Sequence, residues 1–270
     1  MTAFRSQHVL LAVMFLVLNV ASTPGQKPDQ TSSTEGQLHK SEAPRNQQPT
    51  DATIKAELLK LLEANPKPKE NNRATINVWS RRADSLFFLE RFSEAVKEYE
   101  QMIAIDPELK QSHWRLGIAY FFNNEADKAV QIFEGYHSFD DVDRENGIWR
   151  FLSQFKATNP MTAGQELLKY EKDDREPFPA VYKLFDGSIT SEQVIASIPA
   201  NLSKTETEQR SFYIQLYCGM LSVVKNQNAD AINHLEKAVQ CKWPQTAGYG
   251  PNYMWHVARI QLNQLKSKSK

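Results

Sequence analysis

A period of 34 residues in the middle of the chain limits its fold more than any other feature. Ala95, Ala129 and Ala163 stand 34 positions apart, and each is followed four residues later by a larger apolar side chain, Tyr99, Phe133 and Leu167. Twelve residues before each alanine lie Ala83, Gly117 and Phe151. Late in the chain Gly219, Ala231, Leu235 and Ala238 return to the same phase, with Ala231 placed 68 residues after Ala163. Two small residues per unit with a bulky one beside the second fit a helical hairpin. The backbones approach at the small residues, and the large side chain fills the space next to them. One such pair cannot bury its apolar face, so a series of them must stack. Glycine is scarce, at 10 in 270 residues, which argues against a strand-and-turn architecture.

The run Arg115-Leu116-Gly117-Ile118-Ala119-Tyr120, with Trp79 opening the first unit and Asp106-Pro107 closing it, resembles the tetratricopeptide repeat. The resemblance implies an all-α solenoid of antiparallel helix pairs. Its expected units are residues 76–109 and 110–143, a degenerate unit at 144–177, a shortened pair at 178–200 and a late repeat at 205–243. A capping helix at 250–266 would close the end. Ile54, Leu58, Leu61 and Leu62 form the stripe of an earlier helix, capped by Thr50 or Asp51 and ended by Pro66 and Pro68. Thr190 with Gln193 and Thr205 with Glu208 read as capping boxes opening later helices.

In stacked repeats of this kind the first helix of each pair lines the inner groove. That geometry places Ser80, Asp84, Phe87 and Phe88 inward in unit one, and Trp114, Ile118, Phe121 and Phe122 in unit two. Ile148, Leu152 and Phe155 follow in unit three, and Tyr213, Leu216, Met220 and Val223 in unit five. Two readings of this aromatic surface stand side by side. Most of these residues pack between helices, or Phe87, Phe88, Trp114, Ile118, Phe121, Phe122 and Phe155 line an apolar groove for a partner peptide. The doublets Phe87-Phe88 and Phe121-Phe122 favour the groove, because neighbours on a helix point about 100° apart and cannot share one seam. Repeats that grip a terminal carboxylate use basic and Asn side chains. The matching positions here are Ser80, Asp84, Arg115, Glu145 and Trp149, so no carboxylate clamp is expected.

Residues 1–22 read as a signal peptide, with a polar front at Arg5 and His8, the apolar run Val9–Leu18 and small residues at Ala21-Ser22. The run is shorter than the roughly 20 residues of a membrane span. The expected location is therefore exported, periplasmic or secreted, with an uncleaved N-terminal anchor as the alternative. Residues 23–50, rich in Pro, Gln, Ser and Thr, read as a disordered tether, leaving 51–270 as the helical domain.

Lys and Arg total 32, as do Asp and Glu, so no whole-chain charge favours nucleic acid. Residues 79–176 carry 13 basic and 19 acidic groups (−6), and residues 177–270 carry 10 and 6 (+4). This asymmetry suits a homodimer, although solvated faces account for it equally. Asp140-Asp141-Val142-Asp143 lacks the glycine and distal glutamate of a calcium loop, and reads as a solvated loop with Asp143 capping the next helix. The six histidines lack metal-ligand spacing, and no nucleophile, phosphate or zinc motif is present. No catalytic residue, cofactor or metal is expected, and the chain does not read as an enzyme. Cys218 and Cys241 fall in the two helices of the late repeat and form either a disulfide or two buried thiols.

A closer resemblance covers roughly residues 76–265. The order runs from the Arg115–Phe121 motif through Tyr136–Arg144 to Trp149-Arg150-Phe151-Leu152, then Phe185–Glu192 and Phe212-Tyr213. It resembles the NlpI family of bacterial periplasmic repeat lipoproteins. Those are dimeric adaptors that bring a protease to cell-wall hydrolases. The resemblance implies a docking role here, with a protease or peptidoglycan hydrolase among the partners. The lipobox cysteine of that family is missing, since the first cysteine is Cys218.

Overall fold

The computed structural model describes residues 48–172 and 174–268. The expected signal peptide, and the tether up to residue 47, lie outside them. Among the described residues all regular structure is helical. Helix α1 (Asp51–Ala64) starts at Thr50, whose hydroxyl accepts from Thr53 N–H, and buries Ile54 and Leu58 while Leu61 faces solvent.

Two regular pairs follow, α2 (Ile76–Phe88) with α3 (Phe92–Ile105), and α4 (Trp114–Phe122) with α5 (Ala126–Phe139). The small residues act as expected. A Cβ on Gly117 would lie 2.6 Å from Phe133 Cζ, and one on Gly219 would lie 2.7 Å from Leu235 Cγ. Hence Gly117 and Gly219 admit the ring and the leucine that follow their partner alanines, and Ala83, Ala95, Ala129 and Ala231 are fully buried.

Unit three departs from the period. Helix α6 (Arg144–Ala157) is full length, but α7 (Pro160–Gln165) lasts only six residues. Ala163 is buried as its register requires, whereas Leu167 lies beyond the helix end. At the close-approach position stands Phe151, which packs edge-on against Phe185, 5.3 Å between centroids, in the next unit. A phenyl ring there leaves no room for the close crossing that the small residue permits elsewhere. Residues 166–177 run without helix instead.

The shortened pair is present as α8 (Phe178–Phe185) and α9 (Ser191–Ala196), the latter opened by the Thr190–Gln193 capping box. The late repeat is α10 (Lys204–Val224) with α11 (Asn228–Gln240). Its capping box is Ser203 with Glu206, not Thr205 with Glu208. Glu208 instead accepts from the N–H groups of Lys242 and Trp243. A short α12 (Trp243–Thr246) leads to the last helix, α13 (Tyr249–Lys268).

Helix α13 packs against α11 and also reaches back to α2 in the first unit. It therefore lies across the inner face of the stack. Arg259 donates to the carbonyl of Phe88 (2.6 Å) and pairs with Asp51.

Candidate functional site

The inner face divides in two. In its N-terminal half α13 supplies the occupant. Tyr253 stacks on Phe87 at 5.2 Å, His256 stacks on Phe88 at 4.0 Å, and Trp114 meets Tyr253 edge-on at 4.9 Å. Phe87, Phe88, Ile118, Phe121 and Phe122 are all buried. The expectation that these five line an open groove is corrected. The doublets do point two ways, but both directions meet protein: Phe122 packs on Phe87 and Phe92, and Phe121 on Trp149. Phe155 is half-buried against Phe151. Of the seven expected groove residues, only Trp114 borders a cavity.

The positions of a carboxylate clamp are likewise occupied from within. Arg115 donates to Asp84 (2.9 Å) and Ser80 (2.8 Å), while the hydroxyls of Tyr99 and Tyr249 donate to the two oxygens of Asp84 (2.6 and 2.7 Å). The one cation of the set is thus spent on an internal acid, and no grip on a terminal carboxylate remains. This agrees with the sequence expectation.

The other half of the inner face keeps a cavity of about 330 Å³. Its aromatic walls come from separate elements, Trp114 on α4, Trp149 on α6, Tyr213 on α10 and Trp243 on α12, with Met254 on α13 closing one side. Its charged groups are Asp143, Glu145 and Arg175. Asp143 is the N-cap of α6 and accepts from Glu145 N–H at 3.1 Å. Arg175 sits on the non-helical stretch after α7. It reaches Glu145 at 2.5 Å, Asp143 at 3.4 Å and Asp174 at 3.2 Å, with its guanidinium 4.3 Å from the Phe178 ring centroid. Tyr217 donates a short hydrogen bond to Glu145. Burial raises the Glu145 carboxyl to about 7 despite Arg175 beside it, and burial also raises Asp143.

Sequence reading missed this cavity as a site. Glu145 and Trp149 were examined only as clamp positions, and Asp143 only as a cap. Arg175 had no signal at all, because its place depends on the missing second helix of unit three.

The acidic stretch is a turn in which Asp140 accepts from the N–H groups of Val142 and Asp143. Among the described residues no group of His, Cys, Asp or Glu could hold a metal ion, and no helix is long and apolar enough to cross a membrane.

Cys218 and Cys241 are free thiols, so the disulfide alternative is corrected. Cys241 lies near Glu208, ten residues before Cys218 on α10, a separation of about 15 Å along the axis. Burial raises both thiols to about 11.

Residues 76–109 match the tetratricopeptide repeat family. The Hsp70-Hsp90 organizing protein of Triticum aestivum is 26% identical over 120 residues, 44% of this chain and 21% of that protein. The chain spans about a fifth of the length of the curated relative it matches.

Proposed function

We propose that this chain is a non-enzymatic adaptor that binds partner proteins on the inner face of its helical stack. The observation that carries this reading is a detected tetratricopeptide unit at 76–109 that continues as stacked pairs, with an aromatic cavity left open on their inner side. The similarity to a protein named as a chaperone organizer supports the class of role. It does not extend to the ligand, since Arg115 is already paired to Asp84.

Filling of the N-terminal half by α13 favours a second element in the reading. That half is a fixed scaffold, and docking is confined to the cavity half and the rims. The finer assignments rest on the NlpI resemblance and on the leader-like first 22 residues. They are an exported location, dimer formation, and a protease or peptidoglycan hydrolase among the partners.

The test is recovery of the tagged full chain from its native cells after mild cross-linking. Each co-purified protein is then rebound to the purified chain with both components pure. Direct, saturable binding of at least one partner is expected. A folded chain that rebinds none of them would overturn the adaptor reading. The same preparation, run by sedimentation, reports whether it dimerises.

A further inference from the structure

The cavity beside Trp243 has two features that together specify what enters it. Its walls are π-faces contributed by Trp114, Trp149, Tyr213 and Trp243. Such faces attract cations, and guanidinium groups most of all because they also stack flat. Its charged lining consists of two carboxylates, Asp143 and Glu145, against one guanidinium, Arg175. The carboxylates are the more enclosed, with side chains 21% and 15% exposed, whereas Arg175 is 48% exposed at the mouth. Arg175 also shows that a guanidinium can reach both acids from that side. At about 330 Å³ the space is at the small end of ligand pockets, the scale of one long side chain.

We propose that this cavity receives an arginine side chain of a protein partner, its guanidinium held by Asp143 and Glu145 and stacked between the indole walls. This deepens the adaptor reading and rests on it. The site is opposite in sign to a carboxylate clamp, so the recognised segment is basic rather than acid-ended.

The test uses the full chain and a small probe, Nα-acetyl-arginine methylamide, with its citrulline counterpart as the uncharged isostere. Quenching of tryptophan fluorescence and calorimetry both read binding. Saturable binding with a Kd on the order of 1 mM is expected for a single side chain, at least tenfold weaker for citrulline. Glu145→Gln should weaken the arginine probe at least tenfold while the circular dichroism spectrum is kept. Arg175→Gln should strengthen it severalfold, because the resident competitor is gone and both acids are freed. This gain cannot arise from misfolding. Equal binding of arginine and citrulline would overturn the proposal, as would arginine binding that Glu145→Gln leaves unchanged. Partner capture that persists fully in Glu145→Gln overturns the arginine site alone. Arginine binding without any partner capture overturns the adaptor reading alone.

Discussion

At the residue scale, His113 shows how a single side chain couples the fold to pH. Its Nδ1 accepts from Leu116 N–H at 3.2 Å and so caps α4, a role open only to the neutral ring. Burial, aided by the positive charge of Arg115, lowers its pKa to about 3, from about 6.5 in the unfolded chain. Between those values the unfolded chain binds a proton that the folded one does not. Stability therefore falls as pH drops below about 6.5, and the loss continues to about pH 3. His256, buried against Phe88 and beside Arg259, works in the same direction. Glu145 works in the opposite one, since its raised pKa keeps a proton that the unfolded chain has released between about 4.5 and 7. In His113→Asn the cap is kept and the titration removed. Its loss of unfolding free energy from pH 7.5 to 5, measured by urea denaturation, should be smaller than the wild type's by about 2 kcal/mol; an equal loss would refute the role of His113. Gly117 makes a purely steric prediction. In Gly117→Ala the new methyl would meet the buried ring of Phe133, at a cost of about 1–3 kcal/mol in the same assay. Phe133→Leu in addition should return part of it.

At the element scale, the turn between the helices of a pair repeats as faithfully as the alanines. Glu90, Asn124 and Asn226 all hold positive φ, at 64°, 61° and 59°, and stand 34 and 102 residues apart. Each lets the chain reverse after its first helix, and residue 91 then donates back to the carbonyl of Leu86, residue 125 to Tyr120 and residue 227 to Ser222. Two of the three are asparagine, a residue that tolerates this conformation, so the turn was readable in the sequence beside the alanines. A second repeated device is ionic. Arg82 is paired with Glu98 and Arg150 with Glu166, the same 16-residue separation displaced by 68. The first pair is buried, and Arg82 also donates to the carbonyl of Asn65 at 2.5 Å, tying α1 to the first unit. Arg82→Leu should destabilise by about 3–5 kcal/mol, since Glu98 is left buried without its main partner. Adding Glu98→Leu should recover most of this. Urea midpoints for the two variants check it, and a double variant no better than the single one would contradict the argument.

At the scale of the whole molecule, α13 decides what the stack can do. It covers Phe87, Phe88 and part of Trp114 through Tyr253 and His256, and leaves the Trp243 cavity beside its own first turn. A chain ending at Thr246 should bind the dye ANS strongly and lose its cooperative thermal transition, because these rings would face water. A truncated chain with the wild type's transition would show that α13 is an accessory. The sequence determined the helical pairs by itself, because close approach of two backbones demands a small residue at fixed spacing, and alanine and glycine at 34-residue intervals declare that demand locally. It also told correctly where the period fails, at the short pair. The fate of the inner face was settled only in three dimensions. Burial of Phe87 or Phe121 depends on a helix more than 120 residues away, and the cavity draws on six separate stretches of chain, including an arginine placed by a helix that stops early. An apolar stripe states that a surface must be covered; only tertiary packing determines which partner covers it and where the cover ends.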